Sequence, residues 1–341
     1  MAVNPGERLR LIRGLFDDVL DLPPAERTAR LSSVEPSLRS AVEKLLESSA
    51  NAGELAPISA KGGGTPVAGH QLGNYRLVRV IGTGGMASIF EARRTSDGAR
   101  VAIKVIRVGL VRDVTLRRFR QEQWILDSLA HPNIATLVDT GVRPDGRPFL
   151  VMEYIEGEPI TAWCDASGLG LAQRIALFRQ VCGAVDHVHG QGILHRDLKP
   201  ANILVANGSV KLLDFGIAKL LQEEPALEAI RTSLGSRALT PEYASPEQIE
   251  GVPLDARTDI YSLGVVLFEL LTRHIPHEPR GESLLEYTAR VRAEPILAPS
   301  TVREHAGGEE LDRVVLKALA RQPADRYRSA RQFSEALATY G

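Results

Sequence analysis

Two cysteines, Cys164 and Cys182, are all that 341 residues contain. They lack metal-ligand spacing and sit amid helical, partly apolar sequence, so both are expected as small buried core residues, and nothing requires an oxidising compartment. A surplus of charge of one sign is also missing: 41 Lys and Arg against 42 Asp and Glu leave a formal net charge of −1. A nucleic acid or an anionic membrane would need a concentrated basic face, so no nucleic-acid role is expected. Long apolar runs are absent too. The first residues hold no signal-peptide core, and even Tyr261 to Leu271 falls short of the roughly 20 apolar residues that span a bilayer. The chain as given is expected to be soluble and cytoplasmic, with no membrane contact.

What is present divides the chain into two or three units, as its length suggests. Residues 1–50 read as a small helical segment of unknown role. Leu9, Ile12, Phe16 and Val19 recur at helical spacing, as do Leu38, Val42, Leu45 and Leu46 behind Pro36, while Pro23 and Pro24 start a short middle helix. Residues 51–73 turn to Gly, Ala and Pro without periodicity, which predicts a flexible linker. From Tyr75 the pattern alternates. Strands are predicted around Tyr75–Ile81, Ile89–Ala92 and Val101–Val105, with Asp97-Gly98 as a hairpin turn, and again at Thr136–Asp139 and Phe149–Tyr154. A helix is predicted over Leu116–Leu129. Beyond Gly157, amphipathic patterns at Leu171–His189, Asp259–Leu271, Leu284–Arg292, Glu310–Leu319 and Ala330–Thr339 predict a larger helical part. His187, His189, His274 and His277 have no acidic or cysteine cluster beside them in sequence and are read as packed or solvated side chains.

Five segments bear chemistry. The run His195-Arg196-Asp197-Leu198-Lys199-Pro200-Ala201-Asn202 is followed by Asp214-Phe215-Gly216. Gly82-Thr83-Gly84-Gly85-Met86-Ala87-Ser88-Ile89 lies between two predicted strands, where glycines let backbone amides approach phosphate. Lys104 ends the apolar strand Val101-Ala102-Ile103, and a charge there needs a partner or an anionic ligand; Glu122 follows on the next predicted helix. Phe149 to Ile155 forms a fourth segment. The fifth, Thr240-Pro241-Glu242-Tyr243-Ala244-Ser245-Pro246-Glu247, is matched downstream by Ala324-Asp325-Arg326-Tyr327.

Together these segments, over about residues 75–338, resemble the catalytic core of protein kinases. The wording of Asp214 to Lys219 and of Ser245 to Gln248 is similar to the bacterial branch of eukaryotic-type (Hanks-type) serine/threonine kinases. The resemblance implies an α+β bilobal fold at residues 74–338, with a small β-rich lobe at about 74–153 and a larger helical lobe at about 157–338. It implies ATP and Mg²⁺ as cofactors and proteins bearing Ser or Thr as substrates, with self-association for autophosphorylation.

The same resemblance assigns roles. Phosphoryl transfer asks the protein to position a hydroxyl and neutralise charge. Asp197 would accept or orient the hydroxyl proton, and Lys199 would place an ammonium beside the transferred group. Asn202 and Asp214 would ligate Mg²⁺ through oxygen. Lys104 would hold the α- and β-phosphates and pair with Glu122. Ile81, Gly82, Thr83, Gly84, Gly85, Met86, Ala87, Ser88 and Ile89 would cover the nucleotide, with Ala87 in place of the family's third glycine. Ala102, Met152 and Leu204 would line the adenine pocket, and the backbone at Glu153 and Ile155 would meet the adenine edge. Glu247 should pair with Arg326. Thr240 contacts Asp197 and Lys199 in serine/threonine kinases and separates the chain from small-molecule kinases. A pseudokinase scaffold is the alternative, for which only Ala87 speaks.

Regulation is expected between Gly216 and Ser245. Arg196 directly precedes Asp197, and an arginine there needs an anion to hold it and the following loop. No Asp or Glu lies between Ile230 and Thr240, yet Thr232, Ser233 and Ser236 do. Thr232 is the preferred acceptor and Ser233 the second, with Thr240 structural. Phosphatase treatment is expected to lower activity, and Thr232→Ala with Ser233→Ala to prevent its recovery on adding ATP. Full activity in protein shown by mass spectrometry to hold no phosphate in this loop would contradict this.

Overall fold

The computed structural model describes residues 11–12, 15–16, 18–19, 22–51, 69–83, 87–106, 130–143, 147–213, 241–304 and 306–340. Two compact units emerge. The first takes Met1–Ala130, Thr136–Tyr154 and Gly190–Gly192, and the second His131–Ala135, Ile155–His189 and Ile193–Gly341. The predicted helix over 116–129 lies outside the described residues.

Near the start of the chain, α1 (Pro24–Ser32) and α2 (Pro36–Asn51) follow helical residues at 11–12, 15–16 and 18–19. Pro24 occupies the start of α1, where its missing N–H costs nothing. Ile12, Phe16, Val19, Leu31, Val42 and Leu46 bury together, the apolar spacing read from the sequence. Arg27 ties α1 to the preceding turn, its Nε donating to Val19 O at 3.2 Å and its Nη2 to Leu22 O at 3.1 Å.

The first unit also contains a six-stranded antiparallel sheet. Its strands are β1 (Gln71–Leu72), β2 (Tyr75–Thr83), β3 (Ala87–Arg94), β4 (Arg100–Ile106), β5 (Leu137–Val142) and β6 (Pro148–Glu153), in the order β1-β2-β3-β4-β6-β5. Strand β1 begins inside the segment expected as linker. Gly73, at φ 57°, makes the tight turn that returns Leu72 opposite Tyr75, and Leu72 is buried. A two-residue strand is too short to show alternation in sequence. Gly98, at φ 73°, turns β3 into β4 as Asp97-Gly98 predicted. Alternation sets the two faces. Tyr75, Leu77, Phe90, Ala92, Val101, Ile103, Val105, Phe149 and Val151 bury on one side, so the intervening residues Ile89, Glu91, Ala102, Lys104 and Met152 fall on the other.

The second unit has a short sheet, β7 (Glu158–Pro159), β8 (Ile203–Ala206) and β9 (Ser209–Leu212), in that order. Its helices are α3 (Ile160–Ala166), α4 (Leu171–Gly190), α5 (Pro246–Glu250), α6 (Ala256–Thr272), α7 (Leu284–Ala293), α8 (Pro299–Val302), α9 (Glu309–Ala318) and α10 (Ala330–Ala336). Short α3 and α5 had no long periodic pattern to announce them. Helix α6 is buried along nearly its whole length. Gly264 lets it approach α9 and the residue that follows, since a Cβ there would sit 3.1 Å from Ala318 Cβ and from Leu319 Cγ. Cys164 and Cys182 are free thiols in the core, and burial pushes the Cys164 thiol up to about 11.

Glu247 and Arg326 form the expected pair, Arg326 Nη1 lying 2.6 Å and Nη2 2.9 Å from the two carboxylate oxygens. Thr258 Oγ1 donates to the same carboxylate at 2.9 Å. Burial pushes the Glu247 carboxyl up, but the hydrogen bonds and charge of Arg326 outweigh it and hold the group below its ordinary value. The stability it contributes is therefore present above the usual carboxylate range and lost as pH falls through the lowered pKa. Arg326→Met, which strands the carboxylate, is expected to cost about 3–5 kcal/mol at pH 7. Urea unfolding should show that gap narrowing below pH 4, and a gap independent of pH would contradict it.

Candidate active site

The loop between α4 and β8 owes its shape to one buried carboxylate. Asp259, in the first turn of α6, is fully buried. Its Oδ2 accepts from His195 N at 2.8 Å and its Oδ1 from Arg196 N at 2.8 Å, while His189 Nε2 lies 2.7 Å from Oδ2. Burial raises the Asp259 carboxyl, but the His189 hydrogen bond and charge, with the His195 N–H, bring it below its ordinary value. Arg196 sits at φ 63°, a left-handed conformation that a non-glycine residue holds only under constraint. Both its backbone groups are fastened, since Gln248 Nε2 donates to Arg196 O at 2.9 Å.

From this anchor the loop places its functional groups. His195 is buried, with Nε2 donating to Leu213 O at 2.9 Å and Nδ1 accepting from Asp197 N at 3.3 Å. Lys199 Nζ lies 3.0 Å from Asp197 Oδ2. Asn202 Nδ2 donates to Asp197 O at 2.8 Å and to Asp197 Oδ2 at 3.0 Å. Leu213 N donates to Asn202 O at 2.8 Å, so the residue before Asp214 is fastened to the same loop. Asp197 and Lys199 remain partly exposed, each side chain at 23%. A carboxylate, an ammonium and a carboxamide thus converge within one short segment.

In the first unit, register places Ala102 between Glu91 and Met152, and Lys104 between Ile89 and Leu150. Ile81, Gly82 and Thr83 end β2, while Ala87 and Ser88 begin β3. Glu153 ends β6, its N–H donating to Thr136 O at 2.9 Å. In the second unit Ile155 precedes β7, and Leu204 lies on β8 opposite Pro159. Gly84, Gly85, Met86, Glu122, Asp214, Thr232, Ser233 and Thr240 lie outside the described residues.

The protein kinase domain family matches residues 75–337 of this chain. The chain belongs to that family. Serine/threonine-protein kinase Pkn1 of Myxococcus xanthus is 38% identical over 278 residues, 80% of this chain and 39% of that protein. PknB of Mycobacterium leprae is 38% identical over 267 residues, 76% of this chain and 42% of that relative. The chain thus spans about two fifths of the length of these curated relatives. The crystal structure of the Mycobacterium tuberculosis PknI kinase domain covers 82% of this chain and 100% of its own, with 27% identity and a TM-score of 0.62.

The kinase domain also contains residues that sequence reasoning passed over. Asp259 is the first. Its signal was a carboxylate at the head of the mostly apolar run through Leu271, which had to find partners once buried. His189 is its neighbour and not merely a packed or solvated ring. Ser245 and Gln248 form a reciprocal cap on α5, which explains a serine at that position: Ser245 Oγ accepts from Gln248 N, and Gln248 Oε1 accepts from Ser245 N at 3.1 Å. That cap orients the amide which reaches Arg196. Among the described residues of the kinase domain, no helix is long and apolar enough to cross a membrane.

Asp259→Asn keeps the shape but turns an NH₂ toward groups that donate. It is expected to lower the unfolding free energy by about 3 kcal/mol or more. Amide hydrogen exchange at His195 and Arg196 should accelerate with it. Unchanged protection there would show that the loop holds without the carboxylate.

Proposed function

We propose that residues 74–338 form an active serine/threonine protein kinase that transfers the γ-phosphoryl group of ATP to Ser or Thr hydroxyls of proteins. The observation that carries this reading is the Asp197 carboxylate with Lys199 Nζ and Asn202 Nδ2 each at 3.0 Å, on a loop tied down by Asp259. The family supports ATP and Mg²⁺ as a general requirement.

Among the described residues, no group of three or more His, Cys, Asp or Glu forms a metal cage. Mg²⁺ takes one or two protein oxygens and completes its shell with phosphates and water. Asn202 fits such a role: its Nδ2 faces Asp197, which leaves Oδ1 on the opposite side of the amide. Asn202 Oδ1 and Asp214 would hold the ion. When bound, Mg²⁺ would neutralise phosphate charge and orient the γ-phosphoryl group.

The residues of the chain then divide the work. Asp197 orients the substrate hydroxyl and receives its proton as the oxygen bonds to the γ-phosphorus and the bond to ADP breaks. Lys199 offsets charge on the transferred group, its Nζ standing 3.0 Å from Asp197 Oδ2. Lys104, on the ligand-side face of the sheet, would hold the α- and β-phosphates. Ala87 is ordinary strand, buried opposite Ile106, and gives the pseudokinase alternative no support.

Asp197→Asn is expected to reduce transfer by about 100-fold or more while nucleotide binding largely survives. Asp214→Asn should weaken Mg²⁺-nucleotide binding as well as turnover. Labelled ATP with mass-spectrometric mapping of the acceptor residues checks both. Wild-type activity in Asp197→Asn would overturn the assignment.

A further inference from the structure

A charged cluster on the ligand-side face of the six-stranded sheet has no part in the chemistry above. Glu91 lies on β3, directly between Arg79 of β2 and Ala102 of β4 in the register. Its side chain is only 8% exposed, which is costly for a carboxylate unless cations meet it. Two do. Arg79 Nε is 2.8 Å from Glu91 Oε2, and Arg100 Nε is 3.2 Å from Oε1.

Both guanidiniums then reach one further residue. The Arg100 guanidinium carbon stands 4.2 Å from the centroid of the Tyr154 ring, a cation–π distance. Arg79 Nη2 donates to the Tyr154 hydroxyl at 3.4 Å. Tyr154 directly follows Glu153, the last residue of β6. The carboxylate spaces the two arginines, and the arginines grip the ring from its face and its hydroxyl. Glu91 therefore sets where Tyr154 sits through the two arginines.

We propose that Arg79, Glu91 and Arg100 are positioning residues for the nucleotide: they clamp Tyr154 and so fix the backbone that follows Glu153, where the adenine edge is to bind. The inference rests on the kinase reading above. It adds a group of residues whose effect is on nucleotide affinity and not on the transfer step. The same register gives the reason for the coupling, because Ala102, the neighbour of Glu91, pairs with Met152 two residues before Tyr154.

The test uses the full chain with Mg²⁺-ATP and a protein substrate, comparing Glu91→Gln, Arg100→Ala, Arg100→Lys, Tyr154→Ala and the double variant Glu91→Gln with Tyr154→Ala. Glu91→Gln, Arg100→Ala and Tyr154→Ala are each expected to raise KM for ATP about three- to tenfold with kcat within about twofold, the signature of lost uniform binding. Arg100→Lys should recover part of the loss, since an ammonium still sits over the ring. The double variant should be no worse than the worse single one, because both break a single linkage. Binding of a fluorescent ATP analogue, with thermal melting recorded for each variant, separates affinity from unfolding. An unchanged KM in folded Tyr154→Ala, a loss confined to kcat, or multiplying losses in the double variant would each overturn the clamp while leaving the kinase reading intact. Absence of phosphoryl transfer by the wild-type chain would overturn both.

Discussion

One buried carboxylate supports the arrangement on which catalysis is to depend. Asp259 lies at zero exposure in the first turn of a helix buried along nearly its whole length, and a charge in that position is tolerated only because two backbone N–H groups and His189 meet it. The dependence runs both ways. The helix cannot bury Asp259 without the loop, and the loop cannot keep Arg196 left-handed without two acceptors to hold its N–H and that of His195. Everything downstream inherits that geometry: Asp197 through the His195 ring, Asn202 through Asp197, and the strand leading to Asp214 through Leu213.

A second constraint is the period-two alternation of the larger sheet. Each strand must send half of its side chains to the apolar core, and the other half is free to bear polar chemistry. Lys104 and Glu91 stand on that second face, where Glu91 meets two arginines and Lys104 is proposed to meet phosphate. An ionised group on the core face would have no such partners. The same pattern that folds the sheet therefore limits where its charged residues can stand.

Buried pairs elsewhere act more as specifiers than as sources of stability. Glu247 with Arg326 joins the start of α5 to the segment before α10, and replacement by matched apolar groups is often neutral in such cases. What the pair excludes is any packing that separates its partners. Because α5 also offers Gln248 to Arg196, fixing that helix fixes one more contact of the active loop. The chain places the few charges it buries where a shift in one element would strand them.

How much of this was legible beforehand follows from the range of the interactions. Alternation announced β2, β3, β4 and β6, helical spacing announced α4, α6 and the N-terminal core of Ile12, Phe16 and Val19, and the motifs at His195–Asn202 and Val101–Lys104 marked the chemistry, because all of these are written within a few neighbouring residues. Leu72 in β1, short α3 and α5, and the Ser245 cap were harder to see, since two to seven residues are too few to display a period. Asp259 with His195, Glu91 with Arg79 and Arg100, and the grip of those arginines on Tyr154 could not be read at all from local sequence. Each joins residues on separate elements, in the case of Asp259 more than sixty positions apart. Residue types and local spacing determined by themselves which groups are candidates for the chemistry. The partners of each charge were decided only by the tertiary structure, because a carboxylate selects them from whatever the fold brings within hydrogen-bonding reach once water is removed.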